Sequence, residues 1–195
     1  MNRNSLLFVL LIVSASCSSP SQKENSRNKK EALYPYPQYI LSQIAYVDTV
    51  PLGIERIVQE NGMTTDSSFI DRKTFKELAN NFLLPDPNKD DLRRQYEEIS
   101  FQDLTLNTIT FSITTKNPDL SLQQADILLN PDTKKVKYLV LKKQQSTADG
   151  FATSTLMWRN NMNFQIVTSI TGKDGKERSK LIRVVWDKPA AELRR

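Results

Sequence analysis

The 195-residue chain has 27 lysines and arginines against 22 aspartates and glutamates, one cysteine and no histidine, with 38% hydrophobic and 25% charged residues. That composition suits a single domain with its own core. It excludes a disulfide framework, imidazole-dependent serine or cysteine catalysis and histidine-bearing zinc motifs. The net charge of +5 is dispersed and carries no nucleic-acid-binding signature, so it points to an anionic lipid surface or an acidic partner and not to nucleic acid.

In chain order, Arg3 precedes an unbroken apolar run from Leu6 to Val13, and Ser14, Ala15, Ser16 and Cys17 follow. This is the three-part layout of a secretory signal. The run is too short for a permanent span, which needs about 20 residues. Ser14-Ala15-Ser16-Cys17 resembles the lipobox of bacterial lipoproteins, with Ser14 at a position where that family more often has Leu, Val or Ile. The resemblance implies that the signal is cut before Cys17, that the Cys17 thiol carries a diacylglycerol with palmitate-type chains, and that the new amino terminus is acylated. Ordinary secretory cleavage after small residues is the competing reading. The expected divisions are a signal peptide over 1–16, a lipidated flexible tether over 17–33, one globular domain over 34–189 and a frayed tail over 190–195. The expected location is the bacterial envelope, lipid-anchored to a membrane whose identity and face the sequence leaves open.

Within the domain, Ile40, Leu41, Ile44, Ala45 and Val47 have the spacing of a short amphipathic helix. Ile54, Ile57 and Val58 suggest a second, with strand as the alternative. Phe75, Leu78, Ala79 and Phe82 follow i, i+3, i+4, i+7 spacing, so a helix over 69–83 is expected, capped at Asp66, Ser67 or Ser68 and stopped by Pro85 and Pro87. Asp90 to Tyr96 reads as a short exposed helix. From Phe101 the period becomes two: Leu104 and Leu106 alternate, then Ile109, Phe111 and Ile113 in the opposite parity, which a β-bulge near Asn107 would explain. Further strands are expected around 125–129, 136–141, 151–158, 163–171 and 182–186, separated by turns at Asn117, Asn130, Asn160 and Gly172. The fold class expected is α+β, with N-terminal helices packed on one face of a curved antiparallel β-meander of about five or six strands.

Few residues carry candidate chemistry. Asp90-Asp91 and Glu97-Glu98 are adjacent carboxylates in polar surroundings, and Asp126 and Asp187 are isolated. A catalytic pair needs sheltered groups with separated pKa values, so no enzyme is expected, and no cofactor. Trp158, Phe164 and Trp186 are either core aromatics or the lining of a ligand cleft. Lys135, Lys137 and Lys142, with Lys134 and Lys143 beside them, flank one strand. Arg178, Lys180 and Arg183 surround the last one. Were those strands close, the two groups would form a cationic surface. The function expected is a membrane-anchored, non-enzymatic binding or structural module with an envelope protein or lipid as partner. The alternative is a carrier for a hydrophobic ligand, with its cavity between helix and sheet; a carboxylate-dependent hydrolase is third.

Overall fold

The computed structural model describes residues 31–187. The expected signal peptide over 1–16, Cys17, the expected tether up to residue 30, and residues 188–195 with the expected tail lie outside the described residues.

Helix α1 (Tyr36–Thr49) has a proline in its first turn, where the missing N–H costs no intrahelical bond. Strands β1 (Ile54–Glu60) and β2 (Met63–Ile70) follow as a hairpin turned by Asn61 and Gly62, both at positive φ. Helix α2 (Arg72–Ala79) is capped by Asp71, whose carboxylate accepts the Thr74 N–H at 2.7 Å. After an irregular stretch, the remaining strands run as a meander: β3 (Tyr96–Asp103), β4 (Thr108–Thr115), β5 (Leu122–Leu129), β6 (Val136–Thr147), β7 (Gly150–Arg159), β8 (Asn163–Gly172) and β9 (Glu177–Val185). All join one nine-stranded antiparallel sheet in the order β2-β1-β9-β8-β7-β6-β5-β4-β3. The one non-sequential pairing is β1 with β9, which adds the N-terminal hairpin to the end of the meander.

This architecture overturns the expected α+β class with about five or six strands. The protein is mostly one antiparallel sheet of nine strands, with two short α-helices among the described residues. Each difference has a local cause. Ile54, Ile57 and Val58 lie in a strand because β1 is paired on both sides, Glu55 facing Phe69 and Val185. Residues 66–70 belong to β2, whose alternation sends Ile70 toward the core and leaves Phe69 79% exposed. The helix therefore starts only after Asp71. The stretch read as an exposed helix at 90–96 holds a single 3-10 turn, Arg93–Gln95, and Tyr96 opens β3. Leu104 and Leu106 lie in the β3–β4 turn, so the parity switch there is a turn with Asn107 at φ 46°, not a bulge.

The inner face carries the core. Leu139 and Leu141 on β6, Leu156 and Trp158 on β7, Phe164 and Ile166 on β8 and Val184 on β9 are all buried with Ile40, Ile44 and Val47 of α1 and Phe75 and Ala79 of α2. A register shift between Leu128 and Leu129 lets Val136 face Leu129 and become buried, although Tyr138 two residues on is exposed. The buried apolar side chains each contribute about 1.5–3 kcal/mol relative to exposure.

Candidate functional site

The structure brings Trp158, Phe164 and Trp186 together and adds Phe75 and Phe82 from the helical segment. Trp158 stacks on Phe164 with centroids 5.0 Å apart, and Phe82 meets Trp158 edge-on at 5.1 Å. All five rings are buried, so the space between α2 and the sheet is filled by side chains. Gln43 ties α1 to this cluster. Its carbonyl oxygen accepts from Trp158 Nε1 at 3.3 Å and from the Asn161 backbone N–H at 2.8 Å, and its amide donates to Asn161 Oδ1 at 3.0 Å.

Past the rings, the inner face of β6, β7 and β8 turns polar. Leu141, Leu156 and Ile166 form one apolar row; Lys143, Ser154 and Thr168 form the next by register, and Gln145, Ala152 and Ile170 the one after. The Ser154 and Thr168 hydroxyls are 3.0 Å apart. Opposite them runs the segment from Asn81 to Leu92, and between segment and sheet lies an open groove of about 600 Å³. Leu84, Pro85, Leu92, Leu156 and Ile166 supply its apolar lining, and Gln145, Ser154 and Thr168 its hydrogen-bonding groups. Lys143 stands at the junction of the two walls. Its ammonium donates to the backbone carbonyls of Asn81 and Leu84, so it clasps the segment to the sheet. Burial pulls its pKa down from the usual lysine range to about 8. A second, larger hollow of about 1400 Å³ lies where the described chain begins, between Leu33, Tyr34, Arg93, Arg94, Glu98 and Phe111.

The basic residues from the two strands do not form one surface. Strands β6 and β9 are separated by β7 and β8. Lys180 lies on the inner face, paired with Glu60 at 3.4 Å, and Arg178 shares its parity. Lys142 and Arg183 lie on the outer face, in line with Thr155 and Gln165 respectively. Lys135 sits in the β5–β6 turn and Lys137 in the first residues of β6.

Of the adjacent carboxylates, Asp90 and Asp91 lie in the turns before β3, Asp90 lining the second hollow and Asp91 the groove, while Glu97 and Glu98 are divided by strand alternation. Glu98 accepts the Tyr34 N–H at 2.7 Å on the inner side, while Glu97 is exposed on the outer side. Asp126 is engaged by the Ser112 hydroxyl at 2.7 Å and the Gln124 amide at 2.8 Å. Among the described residues no cluster of carboxylates or thiols is placed to hold a metal ion. Sequence reasoning missed Gln43, the clasping role of Lys143, and Asn88, whose side chain accepts the Leu33 N–H at 2.8 Å and donates to the Leu33 carbonyl at 3.1 Å. Gln43 at a helical position spaced with Ile40, Ile44 and Val47 was the available signal, being a polar residue inside an apolar stripe. Asn88 and Lys143 gave none, because their partners lie 55 and about 60 residues away in sequence. No family model, no curated protein and no solved structure matches the chain.

Proposed function

We propose that the protein is a lipid-tethered, non-enzymatic binding module of the bacterial envelope, held through Cys17 and engaging an extended segment of an envelope protein in the groove between the Asn81–Leu92 segment and strands β6–β8. The observation that carries this reading is the contrast between a ring-filled interior and an open, mixed-polarity groove beside it. A groove with apolar side chains on both walls and a few convergent hydroxyl and amide groups is suited to recognition. The carrier alternative places its ligand under the helices, where Phe75, Phe82, Trp158, Phe164 and Trp186 already occupy the volume.

Two measurements test the two halves of the proposal. Labelled palmitate should enter the parent chain and not the Cys17→Ala variant; an unlabelled parent removes the anchor. A photo-crosslinking side chain at Gln145, inside the groove, should yield a discrete protein adduct in the intact envelope, and the same group at Thr153 on the other face of β7 should not. Equal capture at both positions, capture of lipid alone, or none at all removes the binding module.

A further inference from the structure

The β3–β4 hairpin buries Ile113 but carries four other large apolar residues that the rest of the described chain leaves open. Leu104 is 82% exposed and Leu106 58%; behind them on the outer side of β3, Ile99 and Phe101 are 65% and 49% exposed. The turn itself is braced. Asp103 Oδ1 accepts the backbone N–H groups of Thr105 at 2.8 Å and Leu106 at 2.9 Å, and Asn107 takes the left-handed conformation that closes the turn. The leucines are therefore presented on a built tip.

Register puts a basic turn beside that tip. Ile109 faces Leu129 and Leu129 faces Val136, so the β3–β4 and β5–β6 turns lie at the same end of the sheet. Lys134 and Lys135 are exposed there, and Lys137 Nζ lies 3.5 Å from the Leu106 carbonyl. Arg159 lies over the Tyr138 ring on the neighbouring strands. Of the carboxylates near the tip, Asp103 is turned onto the tip's own amides and Asp132 sits in the basic turn; Asp187, beside the β7–β8 turn, and Glu55, on β1, lie farther along the same end. Leucines flanked by lysines match a bilayer interface: apolar side chains pass below the headgroups while ammonium groups stay level with the phosphates.

We propose that this tip is a second, non-covalent membrane contact, with Leu104 and Leu106 entering an anionic lipid surface and Lys134, Lys135 and Lys137 engaging its phosphates. The inference rests on the reading of an envelope protein held near lipid. The geometry accommodates both contacts. Strand β3 is about 26 Å long, and the 14 steps from Cys17 to Glu31 can extend to roughly 50 Å, so the anchor and the tip can reach one membrane.

The test uses the full chain carrying Cys17→Ala and Leu104→Cys, labelled at residue 104 with an environment-sensitive fluorophore. Because Cys17→Ala cannot be acylated, the outcome is independent of the palmitate result. On phosphatidylcholine vesicles containing about one-third phosphatidylglycerol, the emission should shift to the blue and rise roughly threefold. Nitroxide on the lipid chains should quench it. A label placed instead at Asp149→Cys, at the opposite end of the sheet, should not respond, so adsorption through the apolar run at 6–13 would be recognised by both labels behaving alike. Adding Lys134→Glu and Lys135→Glu, both on an exposed turn, should weaken the response about tenfold. The proposal is overturned if the residue-104 label is silent on anionic vesicles, responds equally on phosphatidylcholine alone, or responds only when an envelope protein is added.

Discussion

Lys143 and three tyrosines, Tyr36 and Tyr96 buried and Tyr39 partly so, give the folded chain a pH dependence whose sign follows from where each proton sits. The Lys143 ammonium is drawn down to about 8 by burial, whereas the unfolded chain keeps that proton to about 10.4. Between those values the unfolded state binds more protons, so this group makes stability rise with pH. Tyr36, Tyr39 and Tyr96 act in the other direction. Burial raises all three, Tyr96 to about 12. The unfolded chain releases those protons near 10, so their stabilisation is complete below that pH and declines above it. Denaturant midpoints should therefore climb from about pH 8 to a maximum near 10 and then fall; Lys143→Met should abolish the climb and keep the fall. A flat profile in the parent would show that Lys143 is not buried as described. Gln43 supports a second expectation at this scale. Gln43→Leu preserves the helix but strands the Trp158 indole N–H and the Asn161 N–H, a loss of about 2–3 kcal/mol in denaturant unfolding with an unchanged m-value. The buried position of Gln43 was legible from its place in the apolar stripe of α1, but its partners were not, since Trp158 and Asn161 lie more than a hundred residues away.

Whether an element was legible depended on whether its partner was local. Strands β5 to β9 declare themselves through alternation and through turns at Asn130, Asn160 and Gly172, and each of them pairs with its sequence neighbour in the meander. Strand β1 resisted reading because three apolar residues at 54, 57 and 58 fit a helix as well as a strand. What selects the strand is its position between β2 and β9, a tertiary circumstance. Strand β3 hid for a different reason: as an edge strand with acidic residues it lacks the apolar face that a half-buried strand shows. The meander also fixes a glycine that composition alone would pass over. Gly150 sits at φ 151°, opposite Gly172, and a Cβ there would lie 2.1 Å from the Thr171 carbonyl oxygen. The backbone of β8 cannot yield without breaking the ladder, so Gly150→Ala should cost about 2 kcal/mol or more. Gly175→Ala is the informative comparison. It also sits at positive φ but has open space around it, so it should cost only about 1–2 kcal/mol, the left-handed penalty alone. Equal losses in thermal unfolding would mean that the close approach at Thr171 is relieved by a small shift.

At the scale of the whole molecule, the sheet formed by the described residues is long, ends at β2 on one side and β3 on the other, and is joined across the sequence by the β1–β9 pairing. That pairing joins residues 55 and 185 and brings the two ends of the domain together, so the last strand of the meander cannot pair on both sides until the N-terminal hairpin has docked. The helices and the aromatic cluster cover the middle of the inner face, over β6, β7 and β8. Among the described residues, the outermost strands, β2 and β3, are each paired on one side only, and their side chains are mostly exposed. Protection should follow this gradient. Amides of β7 and β8, bonded on both sides and under the rings, should open only with global unfolding, whereas β2 and β3 should exchange through local opening at a much lower free energy. Hydrogen exchange on the free protein therefore should rank β7 and β8 slowest and β2 and β3 fastest, with β1 and β9 between them. Slow exchange in β2 and β3 together would mean that the two outer edges are covered in solution, by each other or by a second copy. Added anionic vesicles give the same experiment a second reading, because a tip held in lipid should slow β3 and β4 and leave β2, at the far edge, as it was.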